Sequence, residues 1–181
     1  MLVGIIALST SLAEGTASDW LPLALVDGRA LSNENAALML GVFYVSMMVM
    51  RVAGSAVITR FGRVNTIRGS AFLCAVGVMS VILIPSPIGM VLGTVAWGFG
   101  SALGFPIGIS AAADHPETAI RDVAAVSAIA YVAMLLGPMS FGFLGEHIGL
   151  LTSFWVLIGV AIIGGLVAGA AREPDRRMPR R

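Results

Sequence analysis

Val42-Phe43-Tyr44-Val45-Ser46-Met47-Met48-Val49-Met50-Arg51-Val52-Ala53-Gly54-Ser55-Ala56-Val57-Ile58 is a long apolar run interrupted by one charge, Arg51. No other charged residue lies within eight positions of that arginine. The run approaches the ~20 residues that carry a helix across a bilayer. A guanidinium is costly in hydrocarbon, so Arg51 is expected to face a protein interior or a watery cavity and to have a partner. The first apolar segment likewise holds Glu14 and Asp19. Isolated internal charges of both signs point to a membrane protein that moves something, or that holds the hinge of something that moves.

Composition bears on the same point. The 181 residues are 57% hydrophobic and 12% charged, against about 25% charged in ordinary soluble domains. Long, continuously apolar stretches recur along the chain, which predicts an all-α integral membrane protein and excludes a β-barrel, whose strands alternate. All eleven basic residues are arginine, read here as a mark of genome composition. A net charge of +1, with the arginines in turns rather than along one face, argues against a nucleic-acid partner. Cys74, the only cysteine, falls in an apolar segment and reads as a small packing residue.

Hydropathy and turn residues divide the chain into six spans: Leu2 to Val26, Asn35 to Thr59, Ser70 to Ile84, Ile88 to Ala112, Val123 to Leu144 and Leu151 to Ala170. Residues 1–171 form one transmembrane bundle on this reading, followed by a basic tail, 172–181. Arg60, Arg63, Arg68, Arg121 and the tail arginines fall on one side and only Arg29 on the other, so both termini are expected in the cytoplasm. The first span opens at residue 2 with no basic flank, which suggests a chain that begins partway through a longer protein rather than a natural six-span start.

Several local patterns then line up. Gly54-Ser55-Ala56-Val57-Ile58-Thr59-Arg60-Phe61-Gly62-Arg63 resembles the Gly-x-x-x-Asp-Arg-x-Gly-Arg loop signature of the major facilitator superfamily, in its weaker second-half copy. Thr59 stands where that signature has its acid and Ser55 where it has its leading glycine, which removes the acid that normally supports a charge clamp to a neighbouring helix. Glu14-Gly15-Thr16-Ala17-Ser18-Asp19-Trp20 is similar to an element of the seventh helix in bacterial sugar-permease-like members. Gly98-Phe99-Gly100 with Gly104-Phe105-Pro106 is similar to the tenth helix. Tyr131 with Leu136-Gly137-Pro138 and Gly142 is similar to the eleventh.

The resemblance implies the C-terminal six helices of a twelve-helix transporter of the bacterial inner membrane, built as two inverted three-helix repeats. It implies alternating access for a small polar solute such as a sugar or a drug-like compound, with a proton as coupling ion. It also implies a partner: an N-terminal six-helix half, covalent or separate, or a second copy of this chain. A non-transporting remnant or accessory membrane subunit is the alternative.

Individual positions carry two readings each. Glu14, near mid-membrane, is either a proton carrier or a structural carboxyl bonded permanently to a neighbouring helix. Asp19, five residues on and rotated by about 140°, is expected to be structural or gating. Arg51 either works in the substrate or proton pathway or is architectural, as a fixed partner of Glu14 or a side chain that snorkels toward the arginine-rich turn. Tyr44, seven residues before Arg51, shares its helix face, and Tyr131 joins these as a pathway candidate. Gly100, Gly104 and Gly108 make small-xxx-small steps, for tight packing or for sliding. Pro106 and Pro138 are expected to kink their helices. No nucleophile-and-base pair, metal-ligand spacing, P-loop or dinucleotide fingerprint occurs, so neither an enzyme nor a metal or other cofactor is expected.

Overall fold

The computed structural model describes residues 2–173, and those residues form helices joined by short turns with no strand among them. Helix α1 is Leu2–Arg29 and α2 is Asn33–Leu83. Ser32 caps α2, its hydroxyl accepting the Asn35 N–H at 3.3 Å. Ser86 does the same for α3, Pro87–Ser101, where Pro87 supplies the fixed φ suited to a first helical position. Helix α4 is Gly104–Ala112 and α5 is Ala119–Ile148. Gly149, at φ 84°, is the whole turn into α6, Leu150–Ser153; α7, Trp155–Leu166, and a 3-10 turn, Val167–Ala171, complete the chain's helical path.

Four helical runs are long and apolar enough to cross a membrane: Asn33–Leu83, Pro87–Ala112, Ala119–Ile148 and Leu150–Ala171. The first of these is two limbs. Gly62 sits at φ 74°, ψ 161°, a conformation nearly reserved for glycine, inside an otherwise helical stretch. Residues 43–54 run parallel to α3 and residues 70–81 run antiparallel to it, so the chain reverses at Gly62. Helix α1 has 28 residues and thus the length of a span, but it carries Glu14, Asp19 and Asp27. The six sequence-derived segments therefore correspond to α1, the two limbs of α2, α3 with α4, α5, and α6 with α7.

The boundaries differ from expectation in two places. The arginine-rich stretch 60–69, read as a turn, is helical apart from Gly62, so Arg60 and Arg63 lie on helix and the reversal is made at Gly62 alone. The second difference is in the fourth segment, which is two helices rather than one. The break falls at Ala102–Leu103, four and three residues before Pro106, where a proline's missing N–H leaves the i−4 carbonyl without its helical partner. Pro138 does lie inside its helix, α5. Of the expected basic tail, residues 174–181 lie outside the described residues.

Helices in lipid gain little by excluding apolar surface from one another, so close packing has to hold them together. Glycine supplies it here. A Cβ on Gly77 would meet the Trp97 backbone, and one on Gly100 the backbone of Cys74, so α2 and α3 touch main chain to main chain. A Cβ on Gly104 would strike Thr10, one on Gly137 would come within 2.5 Å of Leu12, and one on Gly142 within 3.1 Å of the Trp20 ring. These contacts set α4 and α5 against α1. A chain of edge-to-face rings, Phe43–Trp97–Phe154–Phe141, with centroids 5.7, 5.4 and 6.3 Å apart, ties the remaining elements together.

Gly62 meets nothing within 4 Å, so its backbone angle alone demands glycine. Gly62→Ala is expected to cost about 1–3 kcal/mol, whereas Gly159→Ala, in open space within α7, should cause no loss. Thermal unfolding of both variants in detergent, followed by helical circular dichroism, checks the contrast.

Candidate functional site

Antiparallel packing of α1 on the first limb of α2 brings polar groups together in pairs. Arg51 Nη2 donates to Glu14 Oε2 at 2.9 Å. Seven residues earlier on α2 and four later on α1, the Tyr44 hydroxyl lies 2.6 Å from Ser18 Oγ. Ser18 donates its single proton to the Glu14 carbonyl at 2.9 Å, so Tyr44 must be the donor in the hydroxyl pair. The four side chains make one polar strip about halfway along both helices.

Arg51 has a second anchor. Its Nε donates to the Ala102 carbonyl at 3.4 Å. That carbonyl sits four residues before Pro106, which has no N–H to offer it, and the break between α3 and α4 leaves the acceptor free. Gly54, one turn beyond Arg51, lets Leu103 approach: a Cβ there would come within 2.7 Å of the Leu103 side chain. The break therefore packs on α2 at positions 51 and 54, and Gly54 serves that contact.

The sequence candidates separate accordingly. Glu14, Arg51 and Tyr44 converge, with Ser18 added by the structure. Asp19 is exposed and makes no ion pair among the described residues. Tyr131 stands 67% exposed on α5 and joins no hydrogen bond of the strip. Gly100, Gly104 and Gly137 each stand at a close approach between helices. The Pro138 carbonyl accepts Trp20 Nε1 at 3.0 Å, so the proline of α5 is held to α1.

At the arginine-rich end a second ionic cluster appears. Arg63 Nη1 lies 2.6 Å from Asp114 Oδ2, its Nη2 donates to Ser110 Oγ at 2.9 Å, and its Nε is 3.6 Å from Glu173. A charge clamp between this stretch and the α4 end thus exists despite Thr59, with Asp114 as its acid. Among the described residues Arg60 takes no part in it. A pocket of about 690 Å³ opens beside the clamp, lined by Thr59, Phe61, Gly62, Asn65 and Arg172 among others. At the opposite end, Arg29 donates to the Val81 carbonyl at 3.3 Å and to the Ile82 carbonyl, closing the last turn of α2. The one arginine that departs from the charge asymmetry is a helix cap.

Comparison with known proteins agrees with this architecture. The sequence pattern of the Major Facilitator Superfamily matches residues 3–181. An uncharacterized transporter of Sinorhizobium fredii is 36% identical over 168 residues, covering 92% of this chain and 44% of the relative. An uncharacterized MFS-type transporter of Yersinia pestis is 30% identical over 178 residues, 97% of this chain and 45% of that protein. The membrane protein MosC of Rhizobium meliloti is 27% identical over 165 residues, 90% and 40% respectively. The chain spans less than half the length of these relatives.

The clamp yields a test of its own. In a double-mutant cycle of Arg63→Ala and Asp114→Ala, the two losses of stability should fail to add by about 0.5–3 kcal/mol, as expected for side chains in direct contact. Denaturation of the four proteins in detergent measures that coupling, and simple additivity would mean the pair contributes nothing.

Proposed function

Because this multi-pass membrane chain belongs to the major facilitator superfamily, we propose that it forms one wall of a secondary transport pathway for a small polar solute. The observation that carries the reading is the exposure of the Glu14–Arg51 pair. Their side chains are 22% and 42% exposed at mid-helix positions of a membrane bundle. Charged groups are not left facing hydrocarbon at that depth; they face protein or water. A strip of guanidinium, carboxylate and two hydroxyls in that position fits the side of an aqueous passage. The second wall is an N-terminal six-helix half or another copy of the chain, and the relatives' greater length favours the former.

The proposed mode is alternating access, with this bundle rocking against the other around the strip, in keeping with a six-helix half of such a transporter. Glu14 is the proton-bearing group in this scheme. With Glu14 ionised, the pair with Arg51 is neutral. A proton on Glu14 removes the anion and leaves a positive Arg51 facing the passage. Arg51 keeps its place through the Ala102 carbonyl, so protonation changes the charge of the wall without releasing the side chain. Tyr44 and Ser18 supply the hydrogen-bonding surface beside it, and no group of the strip is arranged for covalent catalysis. The arginine-rich end lies on the cytoplasmic side of a bacterial inner membrane in this proposal, in keeping with the positive-inside rule and bacterial relatives.

Glu14→Gln in the complete protein is expected to retain expression while abolishing the dependence of solute uptake on a proton gradient. Proteoliposomes with and without an imposed pH difference make the measurement, and wild-type coupled flux would remove Glu14 from the mechanism. Arg51→Ala is expected to impair both folding and transport, because it strands the carboxylate. Normal insertion and flux in that variant would reduce Arg51 to a side chain that snorkels.

A further inference from the structure

On the outer face of the bundle, the second limb of α2 and α7 enclose a groove of about 570 Å³. Its floor is made by small residues, Ala71 and Gly165, where a Cβ on the glycine would lie 3.0 Å from that of Ala71. Phe72 and Leu166, 68% and 76% exposed, form its sides. The lining is apolar from Met79 back to its last residue toward the arginine-rich end, Arg68, the one charged group in it. Residues 68 to 79 of a helix cover about 16 Å, close to half of a ~30 Å hydrocarbon core. The groove thus has the length of one leaflet, with a cation at one end.

Arg68 differs from its neighbour Arg63. Arg63 is engaged by Asp114, Ser110 and Glu173, whereas Arg68 is exposed and makes no ion pair or hydrogen bond among the described residues. Its planar fork of donors suits two oxygens of a phosphate. We propose that this groove binds an anionic phospholipid, with one acyl chain along Ala71 and Gly165 and the phosphodiester on Arg68. A zwitterionic headgroup brings its own cation beside the phosphate, so a net negative lipid is favoured at a single unpaired guanidinium. The site lies apart from the Glu14–Arg51 strip, which meets the second half in the proposed transporter, and it requires that this other face of the bundle meet lipid.

The full-length protein in detergent, titrated with phosphatidylglycerol or phosphatidylcholine of identical chains, provides the test. Native mass spectrometry reads bound lipid and a thermal melt reads stabilisation. Phosphatidylglycerol is expected to be retained and to raise the melting temperature more than phosphatidylcholine. Arg68→Gln should weaken phosphatidylglycerol binding about fivefold, the effect of one basic group at a membrane surface. Gly165→Leu, which fills the groove and leaves the charge, should also lower retention, while Arg60→Gln should leave it unchanged. Equal retention of the two lipids, an unaltered Gly165→Leu protein, or an equal loss in Arg60→Gln would each overturn the assignment.

Discussion

A guanidinium held at membrane depth needs partners in the protein or in a watery cavity, and Arg51 finds two in the protein. Glu14 on α1 supplies the charge, and the Ala102 carbonyl supplies a neutral acceptor. The second bond depends on a chain of local facts. Pro106 withholds a backbone donor, the helix breaks at Ala102–Leu103, and Gly54 is small enough for Leu103 to settle against α2. One side chain thereby joins α1, the first limb of α2 and the break between α3 and α4. The Arg63 cluster repeats the arrangement at the bundle's end, with Asp114 and Ser110 as partners.

Close approach of helix backbones makes those polar contacts reachable. Hydrogen bonds near 3 Å between side chains on different helices require the axes to come together, and larger residues at the crossing points would hold them apart. Gly77 and Gly100 bring α3 onto α2; Gly104 brings α4 onto α1; Gly137 and Gly142 bring α5 onto α1. The rings from Phe43 to Phe141 fill the space that remains. Packing and polar pairing are therefore one problem: the glycines set the distances over which the charges are matched.

Much of this was legible residue by residue. The class, the number of helical segments and the lone charge at Arg51 follow from hydropathy, because desolvation acts on each residue whatever its partner. The small residues Gly100 and Gly104 fall where helices approach closely, though their spacing alone does not say which helices those are. The limits of local reading are equally specific. Whether Arg51 met Glu14 or turned toward the arginine-rich end was open, since both routes satisfy a guanidinium. Asp114 gave no sign that it would replace the acid missing at Thr59. Stretch 60–69 looked like a turn from its arginines, yet charged residues are good helix formers, and only Gly62 breaks the run.

Hydropathy alone requires that this chain lie in a membrane as apolar helices and that a few charges be held inside it. These are sums over local transfer energies and need no knowledge of neighbours. Packing selects which groups meet: Arg51 with Glu14 and Ala102, Tyr44 with Ser18, Arg63 with Asp114, and Arg29 with the end of α2. Those pairings join residues far apart in sequence, fixed by the register at which helices cross. The register comes from where glycine permits contact and where the backbone breaks, and it exists only once the helices are packed.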